Sequence, residues 1–263
     1  MTQVITVTNQ KGGVGKTTTA AALISGLHQR GARVLGIDLD PQGNLGFSLG
    51  LEIGAGYTTY DLLSKAHPIF DCISSTEYGD VIPSDVLLST AEVEFTAPRR
   101  EFMLTEQLQL VQEHYDFVII DTPPALNILT INAYVASTGL IIPMEPEILS
   151  LVGVSQLRDT YETIQKSYNP NLKVLGILMN KFNHRLRLHR DVLDMANDVA
   201  QQMGTQVFSS KIRRSIEVAT APAYGQSVLT YSPHSKPSMD LRKIVDAVAG
   251  EDFPRPRVQA HYY

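Results

Sequence analysis

Eight residues near the N-terminus, Lys11-Gly12-Gly13-Val14-Gly15-Lys16-Thr17-Thr18, have the types and spacing needed to hold a chain of phosphates. Gly12, Gly13 and Gly15 let successive backbone N–H groups turn inward around phosphate oxygens, because no Cβ obstructs the turn. A helix opening at Lys16 would add the positive end of its dipole. Lys16 is spaced to reach the β- and γ-phosphates, the Thr17 hydroxyl to ligate magnesium, and Thr18 to hydrogen-bond the α-phosphate. The widespread G-x-x-x-x-G-K-T spacing calls for glycine at position 10, where this chain carries Gln10; Lys11 stands at the loop entrance instead. A lysine there cannot easily fold back onto its own nucleotide. Its charge is suited to phosphate presented by a second copy of the chain.

Two acidic segments complete the set. In GIDLDPQGN, Asp38 and Asp40 stand two residues apart where an extended stretch runs into a turn. Asp40, just outside the strand, is placed to hold and polarise an attacking water, and phosphoryl transfer needs positioning more than covalent chemistry. Asp38 would support magnesium through water or brace the loop. In FVIIDTPP, Asp121 ends an apolar strand, a position from which a carboxylate reaches magnesium directly or through water. An apolar run ending in Asp is weak alone, but the three signals in this order predict binding and hydrolysis of a magnesium-bound nucleoside triphosphate.

Such residues need strands to aim them and helices to lock them. Short β-branched runs at 4–8, 34–38, 117–121, 139–143 and 174–179 read as strands buried on both faces. Helical patterns fall at 16–30, 99–114, 126–136, 149–167 and 189–203, with a last one at 239–249. This alternation predicts an α/β fold: a mostly parallel twisted sheet with helices on both faces and the ligand loops at the carboxyl ends of the strands. Segments 50–57 and 78–88 read as surface excursions. Residues 1–250 are expected to form one domain and 251–263, with two prolines and no helical period, a tail.

Composition removes several alternatives. Hydrophobic content of 43% and charged content of 19% are ordinary for a soluble globular chain. The one cysteine, Cys72, leaves no disulfide framework or multi-thiolate metal site within one chain and reads as a small hydrophobe. No leader pattern or membrane-length apolar run is visible. Net charge is −5, yet a basic stretch from Lys181 to Arg214 interrupts it, which suggests one face tolerant of phosphate backbone. His184 and His189 beside it read as surface residues, with no carboxylate cluster to make a metal site.

Taken together, NQKGGVGKTTT, IDLDPQGN, FVIIDTPP, LGILMNKFNHR and SKIRRSIEVATAPAYGQSV resemble the ParA/MinD family of deviant Walker A P-loop ATPases, in its ParA/Soj partition branch. The resemblance spans nearly the whole chain. It implies that Lys11 is the lysine reaching into a partner's nucleotide, that Asp40 acts in hydrolysis, that Asn180 recognises adenine, and that Ile212, Arg213 and Arg214 flank the base. It also implies a Mg2+-ATP cycle: an ATP-dependent homodimer binds DNA without sequence preference, and a ParB-like or cargo-bound adaptor stimulates slow hydrolysis. The cargo would be a plasmid or chromosome, or in relatives a protein assembly such as a carboxysome, and the setting the cytoplasm and nucleoid. Candidate DNA contacts are Arg185, Arg187, Arg190, Lys211, Arg213, Arg214, Lys236, Arg242 and Lys243.

Departures from the family pattern set limits. Where many members read I-P-R-N-V-R-L-S-E-A-P, this chain reads I-R-R-S-I-E-V-A-T-A-P, so Glu217 replaces one basic residue. The loop-bearing strand begins at once, as in the short partition ATPases without a helix-turn-helix extension, so specific operator reading is not expected. A MinD-like membrane role needs a basic amphipathic C-terminal helix, and the proline-interrupted PRPRVQAHYY is a poor anchor. A nitrogenase-reductase-like carrier needs two cysteines per subunit. A ligase would need a substrate pocket that the sequence does not reveal.

Overall fold

The computed structural model describes residues 2–250, except 53 and 55, together with Phe253. Seven strands, β1 (Gln3–Val7), β2 (Val34–Asp38), β3 (Ser74–Thr76), β4 (Gly79–Ile82), β5 (Phe117–Asp121), β6 (Gly139–Met144) and β7 (Lys173–Met179), form one sheet in the order β3-β4-β2-β5-β1-β6-β7. Every neighbouring pair is parallel except the β3–β4 hairpin at the edge.

Side chains alternate across the central strands, so both faces of the sheet are dry. On β5, Phe117 and Ile119 pack with Leu23, Ile24 and Leu27 of helix Lys16–His28. Val118 and Ile120 face the other way, toward Leu129 and Ala133 of helix Ile128–Ala136 and Val154 and Leu157 of helix Ile148–Ser167. Helix Lys236–Ala249 returns the end of the described chain to the first helix. The two cross so closely that a Cβ on Gly26 would meet Val245 Cγ2 at 2.6 Å.

Register is the feature that builds the site. Val7 pairs with Asp121, and Asp121 pairs with Asp38, so β1, β5 and β2 end level with one another. The loops that follow them share one rim, the expected ligand edge of such a sheet.

Two readings from the sequence need correction. Segment 78–88 is not a surface excursion, since Gly79–Ile82 is a parallel strand on β2 with Val81 and Ile82 fully buried. Two apolar residues are too few to show a period. The pattern at 99–114 is not one helix. Arg99 adopts a left-handed φ of 65°, a 3-10 turn covers Arg100–Phe102, and the α-helix is only Met103–Leu108, followed by turns. The tail at 251–263 lies outside the described residues apart from Phe253, whose ring meets Phe117 edge-on with centroids 5.4 Å apart.

Candidate nucleotide site

Between β1 and helix Lys16–His28 the chain makes a loop that only glycine can trace. Gly13 and Gly15 have φ of 76° and 93°, and a Cβ on Gly15 would lie 2.5 Å from Asn180 Nδ2. Around Gly12 and Gly13, by contrast, an added Cβ would meet nothing within 4 Å, which leaves room for a ligand against the bare backbone. Asn9, fully buried, anchors the entrance: its amide donates to Pro143 O at 2.7 Å and its carbonyl accepts from the Lys11 N–H at 2.9 Å.

Lys16 is buried, and its Nζ donates to Lys11 O at 3.2 Å, inside the curve of the loop. Burial lowers its pKa, against the opposing pull of the Asp121 and Asp40 charges. Asp121 at the end of β5 is fully buried, and neither carboxylate oxygen completes a hydrogen bond. Desolvation raises its pKa to about 7, even though Thr17, Lys16 and the Thr122 N–H stand close enough to restrain the rise. Asp38, level with it on β2, is also raised, first by burial and then by Asp121. Two buried carboxylates side by side, one without a completed hydrogen bond, call for a cation. A carboxylate, the Thr17 hydroxyl and phosphate oxygens are the hard oxygen ligands that Mg2+ prefers, so the residues fit the ion. Among the described residues no group of three or more His, Cys, Asp or Glu side chains gathers to hold a metal by itself.

Asp38 also has a clear bracing role. Its Oδ1 accepts from the Asp40 N–H and its Oδ2 from the Leu45 N–H, both at 2.9 Å. These bonds fold the Asp40–Asn44 turn over the rim and hold Asp40 part-buried, where Asp40 in turn accepts from the Gln42 N–H at 3.1 Å.

Beside the loop lies a cavity of about 320 Å³, lined by Val14, Thr18, Asn180, Ile212, Arg214 and Leu241 among others. Its predominantly apolar walls suit a planar base. Asn180 Nδ2 donates to Val14 O at 2.6 Å, while its buried Oδ1 has no partner and is free to accept from an exocyclic amine such as that of adenine. The wall at 212 is tied to β7: the Ile212 N–H donates to Met179 O at 2.8 Å and Ile212 O accepts from the Phe182 N–H at 2.9 Å. Arg213 lines the cavity, but its guanidinium is bonded to Asp240, which it holds at 2.7 and 2.8 Å.

Sequence reasoning passed over the residues that hold the two lysines at the lip. Lys11 forms an ion pair with Glu147 and a 3.3 Å hydrogen bond to Ser150 Oγ. Lys181 donates to Glu145 at 2.6 Å and to Gly13 O at 3.1 Å. No local motif announces these pairs. They arise because Glu145-Pro146-Glu147 follows β6, which lies between β1 and β7 in the sheet.

The candidate DNA contacts fall into groups. Arg185, Arg214 and Lys236 line one cavity of about 810 Å³ with His184 and His234. Arg187 and Arg190 are exposed on the neighbouring helix Arg187–Gln202, and Lys243 on helix Lys236–Ala249. Arg213 is committed to Asp240, Arg242 donates to Leu229 O at 3.1 Å, and Lys211 is half-buried with its ammonium on Ser209 O.

Comparison with known proteins identifies the family and the fold. A family model described as an AAA domain matches residues 2–174. The sporulation initiation inhibitor protein Soj of Bacillus subtilis is 38% identical over 254 residues, covering 94% of this chain and 99% of Soj. The chromosome partitioning protein ParA of Caulobacter vibrioides is 38% identical over 259 residues, with 96% of each covered. This chain belongs to the ParA/Soj family of P-loop ATPases. Among solved structures, cobyrinic acid a,c-diamide synthase from Mycobacterium smegmatis with bound ADP and magnesium superposes with a TM-score of 0.81 at 34% identity, covering 94% of both chains. The septum site-determining protein MinD of Pyrococcus horikoshii, complexed with Mg-ADP, gives 0.77 at 26% identity, covering 95% of this chain and 98% of that one. The family thus supplies the fold and the nucleotide loop, and among the described residues no helix is long and apolar enough to cross a membrane.

Proposed function

We propose that this chain binds and hydrolyses Mg2+-ATP, that ATP brings two copies together face to face, and that the dimer holds DNA without sequence preference until an adaptor protein stimulates hydrolysis. Chromosome or plasmid segregation is the process that fits, by kinship with relatives such as the chromosome partitioning protein ParA. Asp40 positions the attacking water. Thr17 and Asp121 hold the ion, with Asp38 bracing the loop and reaching the ion through water. Val14 and the glycines of the loop bind phosphate, Asn180 and Ile212 bind the base, and the chain works in the cytoplasm on the nucleoid as one domain spanning residues 1–250.

The observation that carries this reading is the pair of lysines in one loop with different surroundings. Lys16 is buried among the phosphate-binding groups, whereas Lys11 stands at the lip, 35% exposed, on an ion pair with the half-exposed Glu147. Exposed pairs of this kind contribute only about 0.2–1 kcal/mol. Lys11 can therefore leave Glu147 at little cost when a second nucleotide-bearing loop approaches.

The test is binding to random-sequence duplex DNA at moderate salt with ATP, with ADP and without nucleotide. Binding seen only with ATP and weakened by salt supports the proposal. Absence of DNA binding with ATP still bound would sink the DNA step and leave a nucleotide switch acting on another surface.

A further inference from the structure

The proposal that nucleotide binds in this loop raises the question of what aims the loop's N–H groups before phosphate arrives. Two consecutive loop carbonyls, Gly13 O and Val14 O, are held by two consecutive residues at the end of β7. Lys181 Nζ donates to the first at 3.1 Å and Asn180 Nδ2 to the second at 2.6 Å. A trans peptide is planar, with its C=O and the following N–H directed oppositely. Holding Gly13 O toward β7 therefore turns the Val14 N–H away from it, and holding Val14 O does the same for the Gly15 N–H. Both donors are aimed to the other side of the loop strand, where phosphate oxygens are received.

Lys181 reaches this position by an unusual route. Its φ is 54°, the left-handed region that a side chain with a Cβ seldom enters, so that Asn180 and Lys181 turn toward the same loop instead of alternating. The ammonium is then fixed from behind by Glu145 Oε1 at 2.6 Å, whose side chain is 17% exposed. Partial burial of the carboxylate and a charge-assisted bond make this a firmer anchor than a fully solvated pair, although the Lys181 side chain itself is 46% exposed.

We infer that Lys181, fixed by Glu145, is a positioning residue of the phosphate site: it holds the Gly13 carbonyl outward so that the Val14 N–H meets the nucleotide's phosphates. The inference rests on the reading of this loop as a nucleotide site and adds to it a residue that acts through the loop backbone. Lys181 also lines the base cavity. A role as a wall for the base is the rival to be separated.

The experiment compares ADP with adenosine, each competed against a fluorescent N-methylanthraniloyl-ADP probe, in wild type, Lys181→Met, Lys181→Arg and Glu145→Gln. Loss of one hydrogen bond involving a charged group predicts about tenfold weaker ADP binding in Lys181→Met, mostly as faster probe dissociation. Adenosine affinity should stay within about twofold, since no phosphate is involved. Lys181→Arg should recover part of the loss, and Glu145→Gln should show a smaller loss in the same direction. Equal weakening of adenosine and ADP would overturn the inference in favour of a base wall, and unchanged ADP binding in both Lys181→Met and Glu145→Gln would overturn it outright. If Lys181→Met does not fold, Glu145→Gln decides the question by the same ADP-to-adenosine comparison. A wild-type protein that fails to bind ADP would instead remove the nucleotide reading itself.

Discussion

Asp121 combines two burdens, a fully buried carboxylate and no completed hydrogen bond, and both act on its protonation. Its folded pKa is raised to about 7 by desolvation, well above the unfolded value near 3.9. The nucleotide-free protein therefore holds a proton there that the unfolded chain releases. This contribution to stability is complete below about pH 4 and is lost as pH rises through 7. Asp121→Asn removes the titration, so the melting temperature of the variant relative to wild type should climb between pH 5 and 7.5 when both are scanned without nucleotide; a constant offset would contradict the assignment. Ion binding must displace that proton. Two other residues test the proposed chemistry directly. Asp40→Ala should retain ATP binding while phosphate release falls at least tenfold, because the water loses its positioning group. Lys11→Ala should leave the loop able to bind ATP yet remain monomeric by light scattering at concentrations where wild type dimerises with ATP.

At the scale of elements, what could be read in the sequence depended on length and placement. The strands β1, β2 and β5 are continuous apolar runs leading into glycine or aspartate, so their ends and their site residues were plain. β4 carries only Val81 and Ile82 inward, and its membership in the sheet comes from pairing with β2, a long-range fact without a local signature. The roles of Asn9, Glu145, Glu147 and Lys181 were equally invisible, because each depends on β6 lying between β1 and β7. Helix packing offers its own test. Gly26 faces Val245 across the crossing of helices Lys16–His28 and Lys236–Ala249, where an added Cβ would stand only 2.6 Å from Val245 Cγ2. Gly26→Val should overpack this contact and cost about 1–3 kcal/mol in urea denaturation. Because helix Lys16–His28 starts at the phosphate loop, nucleotide affinity should weaken as well.

For the whole molecule, charge distribution matters more than the total. The chain is net acidic at −5, so the proposed attraction to DNA must be local. Arg185, Arg214 and Lys236 converge on one cavity at the side of the base pocket, and Arg214 borders both. This adjacency offers a direct path by which the bound nucleotide could alter the basic face. The double variant Arg185→Glu, Lys236→Glu should lose DNA binding at least tenfold in a filter-binding assay and reduce the salt slope by about two phosphates' worth. Binding of a fluorescent ATP analogue should be unaffected, since neither residue touches the base cavity.

The strand order has a consequence for the newborn chain. β1, which leads into the phosphate loop, and β2, which carries Asp38, are not neighbours; β5 lies between them. A ribosome that has released only the first hundred residues has made the loop, both of its lysines and the Asp38 turn, but nothing that can hold them level. Insertion of residues 117–121 joins the two halves and delivers Asp121 in the same event. The base pocket waits longer, for Asn180 and Ile212. During synthesis, then, the nascent polypeptide should have no grip on nucleotide through nearly half its length, acquire a phosphate grip in one step, and gain preference for a base only near the end.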